Sequence, residues 1–259
     1  MHALCKQTSI VTLLLLASAT AAAADERPWK YTAGIDYSTG DYGDPADTDI
    51  FFLPVSVAYT DGNWTYKATA SLLEIDGPGT VVGGGGDGIV VPGNSTQTKT
   101  EDGLGDTWLS ASYFVEELPT DAFYLSLGGK IKLPTADEDK GLGTGETDYA
   151  LVADLFKPMG RYTPFATLAY KIKGDPPQGN LDNVFALSVG SDYRWTDDAN
   201  LGASVDYQQS ATNSDDQLEL FAYLNQRLSP QTSLMVYGYL GLTDGSPDLG
   251  TGIQISYRP

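Results

Sequence analysis

The chain has one cysteine, Cys5, and one histidine, His2, and both lie within its first six residues. Lys6 is the only charged side chain of that opening segment, and an apolar run at 10–16 and the small residues ASATAAAA follow it. A basic start, a short apolar middle and a small-residue cleavage site make a secretory signal peptide, and the run is too short to cross a bilayer as a helix. We assign 1–24 to a cleaved signal peptide and 25–259 to the mature chain. That mature chain has no thiol and no imidazole, so it holds no disulfide and no Ser-His-Asp or Cys-His catalytic set. Zinc sites built from histidine or cysteine are excluded as well. Cations are also scarce, with 15 Lys and Arg against 34 Asp and Glu. Loss of Lys6 takes the formal charge from −19 to −20, the wrong balance for a nucleic-acid partner, which needs clustered cations. Beyond residue 24 no stretch keeps a helical period.

What the chain does have is a period of two. Phe51, Leu53, Val55, Val57 and Tyr59 alternate with Phe52, Pro54, Ser56 and Ala58, and after the turn TDGN the pattern resumes from Trp64 to Leu72. Similar segments recur near 29–38, 48–60, 63–75, 104–116, 121–133, 147–157, 162–173, 181–195, 199–210, 217–228, 231–243 and 249–257. The connections after every second segment are short (TDGN, ELPTD, KPMGRY, TDDA, SPQ), and most of the others are longer and rich in Gly, Asp and Pro. An even number of alternating strands, with short turns at one end and long loops at the other, predicts an all-β fold. It is a transmembrane antiparallel up-and-down β-barrel of twelve strands in a Gram-negative outer membrane, with short periplasmic turns and longer extracellular loops. Aromatics such as Trp29, Tyr59, Trp64, Tyr162, Trp195 and Tyr257 gather at the short-turn end, as in an interfacial girdle. A soluble β-sandwich or barrel is the competing reading, but its polar face rarely alternates small residues with buried Lys and Asp.

The stretch KLPTADEDKGLGTGETDY at 132–149 invites readings as a nucleotide or metal loop. GLGTGE is not the dinucleotide fingerprint, no helix follows it, and its acidic neighbours repel phosphate. A calcium-loop frame starting at Asp137 places Leu142 and Asp148 where glycine and glutamate belong. The middle therefore reads as an extracellular loop made flexible by Gly141, Gly143 and Gly145. No cofactor is expected. A loosely bound divalent cation at acidic extracellular residues such as Asp137, Glu138, Asp139 and Glu146 stays open. The glycine-rich stretch at 83–88, flanked by Val81, Val82 and Ile89–Val91, reads as a loop able to fold over or into the barrel mouth.

Projecting the non-apolar positions inward gives the expected solute path: Lys67, Lys130, Lys132, Lys171, Lys173, Arg194 and Arg227, facing Asp106, Asp154, Asp192, Asp206 and Glu219. The lysines at 130, 132, 171 and 173 cluster near the outer ends of two strands and would attract anions. The alternative is an ion-pair network that neutralises itself and fills the lumen. Most of the acidic excess falls in loops.

GLGDTWLSASY at 103–113, followed by KLPTADEDKGLGTGETDYALVADL at 132–155, resembles the outer-membrane family named for a MetA pathway of phenol degradation, whose members are described as transporters. The resemblance implies an outer-membrane barrel and carries over no catalytic residue. The expected function is a channel or passive transporter for small hydrophobic or anionic solutes. Its expected partners are outer-membrane lipids, lipopolysaccharide and the barrel-assembly machinery, with no nucleic acid. A structural or adhesive barrel and an outer-membrane lipid-modifying enzyme are the alternatives. The enzyme would need a Ser-Lys or carboxylate base in place of histidine.

Overall fold

The computed structural model describes residues 27–42, 45–78, 80–82, 89–91, 98–115, 123–177, 179–212 and 214–259, so the signal-peptide assignment lies outside the described residues. The described elements are strands. The first group is β1 (Trp29–Gly40), β2 (Thr48–Asp61), β3 (Trp64–Gly77), β4 (Thr80–Val82), β5 (Ile89–Val91), β6 (Lys99–Leu104) and β7 (Thr107–Val115). Then come β8 (Tyr124–Leu133), β9 (Asp148–Phe156), β10 (Tyr162–Ile172) and β11 (Val184–Arg194). The chain ends with β12 (Ala199–Gln208), β13 (Gln217–Arg227), β14 (Thr232–Gly241) and β15 (Leu249–Tyr257). Each wall strand pairs antiparallel with its neighbours in sequence, and β1 pairs with β15, so the sheet closes on itself as a twelve-strand barrel. Closure leaves no edge with unpaired backbone groups, which is the condition for a sheet to sit in hydrocarbon.

The fourth wall strand departs from the sequence expectation. It begins earlier and is broken: β6 pairs with the upper half of β3 and β7 with its lower half. Gly105 and Asp106 form the break, and Asp106 is turned into the interior with 1% of its surface exposed. Interruptions of this kind re-aim a side chain at the cost of local ladder bonds. The connection at 76–100 also contains structure, since β4 and β5 pair as a small separate ribbon. The inward folding expected of 83–88 lies outside the described residues.

Along the wall, side chains alternate between faces, as the two-residue period of a strand requires. Ile35, Val55, Leu72, Leu109, Leu151, Leu168, Val205 and Ile253 are exposed on the outer face, while Thr32, Asp36, Ser56, Ser71, Thr167 and Ser204 are buried on the inner one. This is the reverse of a soluble protein and marks a lipid-facing surface. Wall strands paired across their whole length have 9 to 14 residues, enough to cross a hydrocarbon core at a tilt. At the short-turn end Trp29 packs on Tyr59 with ring centroids 4.8 Å apart, Trp64 on Tyr113 at 5.0 Å and Tyr162 on Tyr193 at 5.0 Å. These amphipathic rings form the lower interfacial girdle. Gly62, with φ of +55°, supplies the left-handed residue of the tight turn joining β2 and β3.

Candidate functional site

The cross-strand registers organise the inward lysines into two rows. In the first, Lys30 pairs with Ala58, Ala58 with Lys67, Lys67 with Ser110, Ser110 with Lys130, Lys130 with Ala150 and Ala150 with Lys171. A lysine therefore stands on every second strand, and a small neutral residue stands between each pair. Strands are spaced about 4.8 Å apart, so successive lysine backbones are about 10 Å apart. The lysines are the second residue of β1, the fourth of β3, the seventh of β8 and the tenth of β10, all strands that run away from the short-turn end. The row thus climbs the inner wall from the short-turn end to the loop end. Among the described residues, Lys30, Lys67 and Lys130 are half-buried and have neither a hydrogen-bond nor an ion-pair partner. The charges acting on Lys30 are those of Arg258 and Lys67, and Lys130 acts on Lys67 in turn. Lys171, at the top, is buried and donates to Gln208 Oε1, while Gln208 Nε2 donates to Gln217 Oε1 at 3.0 Å.

The second row lies two residues higher. Trp108 pairs with Lys132 and Lys132 with Asp148, and Lys173 follows on β10's extension. Here the residue between the lysines is a carboxylate. Lys132 Nζ lies 3.1 Å from Asp148 and 3.2 Å from Asp106, and Lys173 Nζ lies 2.8 Å from Asp148. Lys132 is wholly buried, and its third donor bond goes to Thr144 Oγ1 at 3.0 Å. The upper lysines are therefore neutralised in place.

The opposite wall, from β11 through β15 to β1, carries carboxylates held by tyrosines. Tyr237 and Tyr239 donate to the two oxygens of Asp36 at 2.7 and 3.0 Å, and Tyr223 donates to Asp192. Asp206 accepts from Ser204 at 2.9 Å and stands directly across from Glu219. Asp154, on β9 within the lysine wall, accepts from Thr167 at 2.7 Å and interacts electrostatically with Lys130 without forming an ion pair. The tyrosine rings lie over glycines of neighbouring strands. A Cβ on Gly202 would sit 2.1 Å from the Tyr223 ring, and one on Gly250 would sit 2.0 Å from that of Tyr239.

The loop at 134–147 corrects the expectation of a flexible extracellular segment. It is tucked into the barrel mouth. Leu142 is fully buried in a cluster with Tyr42, Ile50, Phe52, Leu73 and Ile75, and Ala136 packs against it. Asp106 accepts a hydrogen bond from the Ala136 amide at 3.0 Å, Thr135 Oγ1 donates to the Gly105 carbonyl at 3.0 Å, and Lys140 Nζ donates to the Asp102 carbonyl at 2.8 Å. The glycines serve this tight path. Gly145 has φ of +71°, and a Cβ there would lie 1.8 Å from the Glu138 carboxylate. Tyr42, itself at φ +50°, closes the pocket around Leu142, and burial pushes its hydroxyl well above the ordinary tyrosine range. Asp137 caps its own turn by accepting from the amides of Asp139 and Lys140. Among the described residues no three His, Cys, Asp or Glu side chains converge as a metal would require.

Two residues expected in the solute path sit elsewhere. Arg194 and Arg227 have inward parity but end their strands at the short-turn rim, where both are exposed. Arg194 donates to the Gly160 carbonyl at 2.7 Å, and Arg227 is paired with Asp198 at 2.7 Å. Sequence reading also missed Lys30. The polar parity of Lys30, Thr32, Asp36 and Ser38 was the available signal. The lumen tyrosines of β14 gave no such signal, because both faces of that strand are largely apolar in sequence, whereas Tyr223 of β13 shares its face with Gln217, Glu219 and Asn225.

Among solved structures the chain resembles the NanC porin, with a TM-score of 0.59 at 11% identity, covering 88% of this chain and 100% of that one. The KdgM porin in complex with disordered oligogalacturonate gives a TM-score of 0.51 at 8% identity, covering 88% and 99%. The CymD monoaromatic hydrocarbon channel gives 0.50 at 11% identity, covering 98% and 92%. At these identities the likeness establishes the fold, an outer-membrane β-barrel. No curated protein matches the sequence. Residues 55–258, most of the chain, match the family described as "Putative MetA-pathway of phenol degradation", and the protein belongs to that family.

Proposed function

We propose that the protein is a passive outer-membrane channel that admits small anions in preference to cations. The observation that carries this reading is the climbing row Lys30, Lys67, Lys130 and Lys171, whose first three ammonium groups make no hydrogen bond or ion pair among the described residues. A half-buried cation without a counter-charge is costly to hold, and a passing anion relieves that cost at successive steps. Fixed positive charge on the wall of a narrow lumen also raises the local anion concentration. Hydrogen bonding does not neutralise Asp36 and Asp192, but tyrosine hydroxyls of β13 and β14 hold them away from the row. The neighbours with named cargo differ in its chemistry. KdgM is described with an acidic oligosaccharide and CymD with aromatic hydrocarbons, and the lysine row suits the acid better. The reading is of a channel before a catalyst: residues 25–259 contain no histidine or cysteine, which leaves an enzyme only a Ser-Lys or carboxylate base. Lipid and lipopolysaccharide are the proposed surroundings of the apolar belt.

Purified protein in planar bilayers, under a salt gradient, tests the reading. We expect current with a zero-current potential displaced toward the chloride equilibrium value. No conductance, together with no solute uptake into liposomes, would remove the channel reading.

A further inference from the structure

The unpaired lysines lie at one residue per two strands, and this spacing bears on which anions the lumen holds. We propose that Lys30, Lys67 and Lys130 form a binding track for organic anions carrying two or more carboxylates, a site that deepens the anion-channel reading and rests on it. Three observations carry it. The lysines lie in one continuous cross-strand row, so their side chains project from the same inner surface. The positions between them are Ala58 and Ser110, which are short and uncharged and place no counter-charge between neighbouring ammonium groups. Among the described residues no carboxylate is hydrogen-bonded or ion-paired to any of the three, and Arg258 adds a further positive charge beside Lys30.

A monocarboxylate engages one such group, or is shared weakly between two. A di- or tricarboxylate places a charge at each of two neighbouring lysines, and the second contact forms at high effective concentration once the first is made. Lysine, as a flexible point charge with three donors, adapts to different carboxylate spacings and does not impose a bidentate geometry. The track is therefore selective for charge number more than for the shape of one acid. The upper row offers nothing equivalent, since Lys132 and Lys173 are already satisfied by Asp106 and Asp148.

The test is calorimetric titration of the detergent-solubilised, folded protein with citrate and with acetate at matched ionic strength, alongside bilayer current. Citrate is expected to bind at least tenfold more tightly than acetate. Lys67→Gln, and separately Lys30→Gln, should remove most of that advantage, while Lys99→Gln at the exposed start of β6 should retain it. Equal affinity for citrate and acetate, or an undiminished citrate preference in both lumen variants, would overturn the track. Citrate binding in a protein that carries no current would defeat the channel reading and leave the site standing. An anion-selective current without citrate preference would do the reverse.

Discussion

The two lysine rows of the inner wall are made of the same residue type and lie two residues apart where they share β8 and β10, yet their electrostatic situations differ. In the upper row Asp148 stands between Lys132 and Lys173, with Asp106 behind, and every charge is matched within 3.2 Å. In the lower row Ala58 stands between Lys30 and Lys67, and Ser110 between Lys67 and Lys130, and these three lysines make no ion pair among the described residues. What separates a structural lysine from a functional one here is the identity of the residue across the strand. The upper row helps hold the tucked loop, through Lys132 to Thr144 and Asp106 to Ala136, and so belongs to the architecture of the mouth. The lower row is left to interact with whatever enters.

The sharpest way to break this contrast is to remove the shared carboxylate. Asp148→Asn removes the counter-charge of buried Lys173 and one of the two that Lys132 holds, and should destabilise the barrel by about 3–5 kcal/mol, the usual cost of breaking a buried pair from one side. Urea unfolding in detergent micelles measures it. Lys67→Gln should shift the same midpoint by no more than about 1 kcal/mol in either direction, because it orphans nothing. Equal losses would mean the rows are not different in kind.

A second effect concerns the loop that the upper row secures. Leu142→Asp places a charge in the pocket of Ile50, Phe52, Leu73 and Ile75 and should release the loop from the mouth. Single-channel conductance should then rise several-fold with the lysine row intact. An unchanged conductance would show that the tucked loop does not limit passage.

The contrast can also be sharpened by transplanting the upper pattern downward. Ala58→Asp sets a carboxylate between Lys30 and Lys67, as Asp148 stands between Lys132 and Lys173 in the upper row. The anion-to-cation permeability ratio should fall several-fold, and the barrel should remain folded. At the small end of the scale, Arg227→Gln removes an exposed rim pair with Asp198 and should cost less than about 1 kcal/mol, with little change in selectivity.

Much of this architecture could be read in the sequence, and the part that could not has a physical reason. The barrel follows from alternation and turn length, which are local, and the lysines at 130, 132 and 171 follow from parity along their own strands. The distinction between the rows depends on register, because Ala58 and Asp148 meet their lysines from other strands. Parity also says nothing about height, which is why Arg194 and Arg227, correct in face, lie at the rim. The tucked loop was hidden by composition. Its glycines and acids describe an exposed turn, and Leu142, the one large apolar side chain among them, was the sign that part of it is buried.

The central claim is that the unmatched lower row makes the lumen selective for anions. Its most direct test is the zero-current potential of the wild-type channel and of Ala58→Asp, recorded in the same bilayers under the same salt gradient. The account predicts an anion-selective potential in the wild type that moves toward the non-selective value in the variant. A cation-selective wild type, or two identical anion-selective potentials, would contradict it.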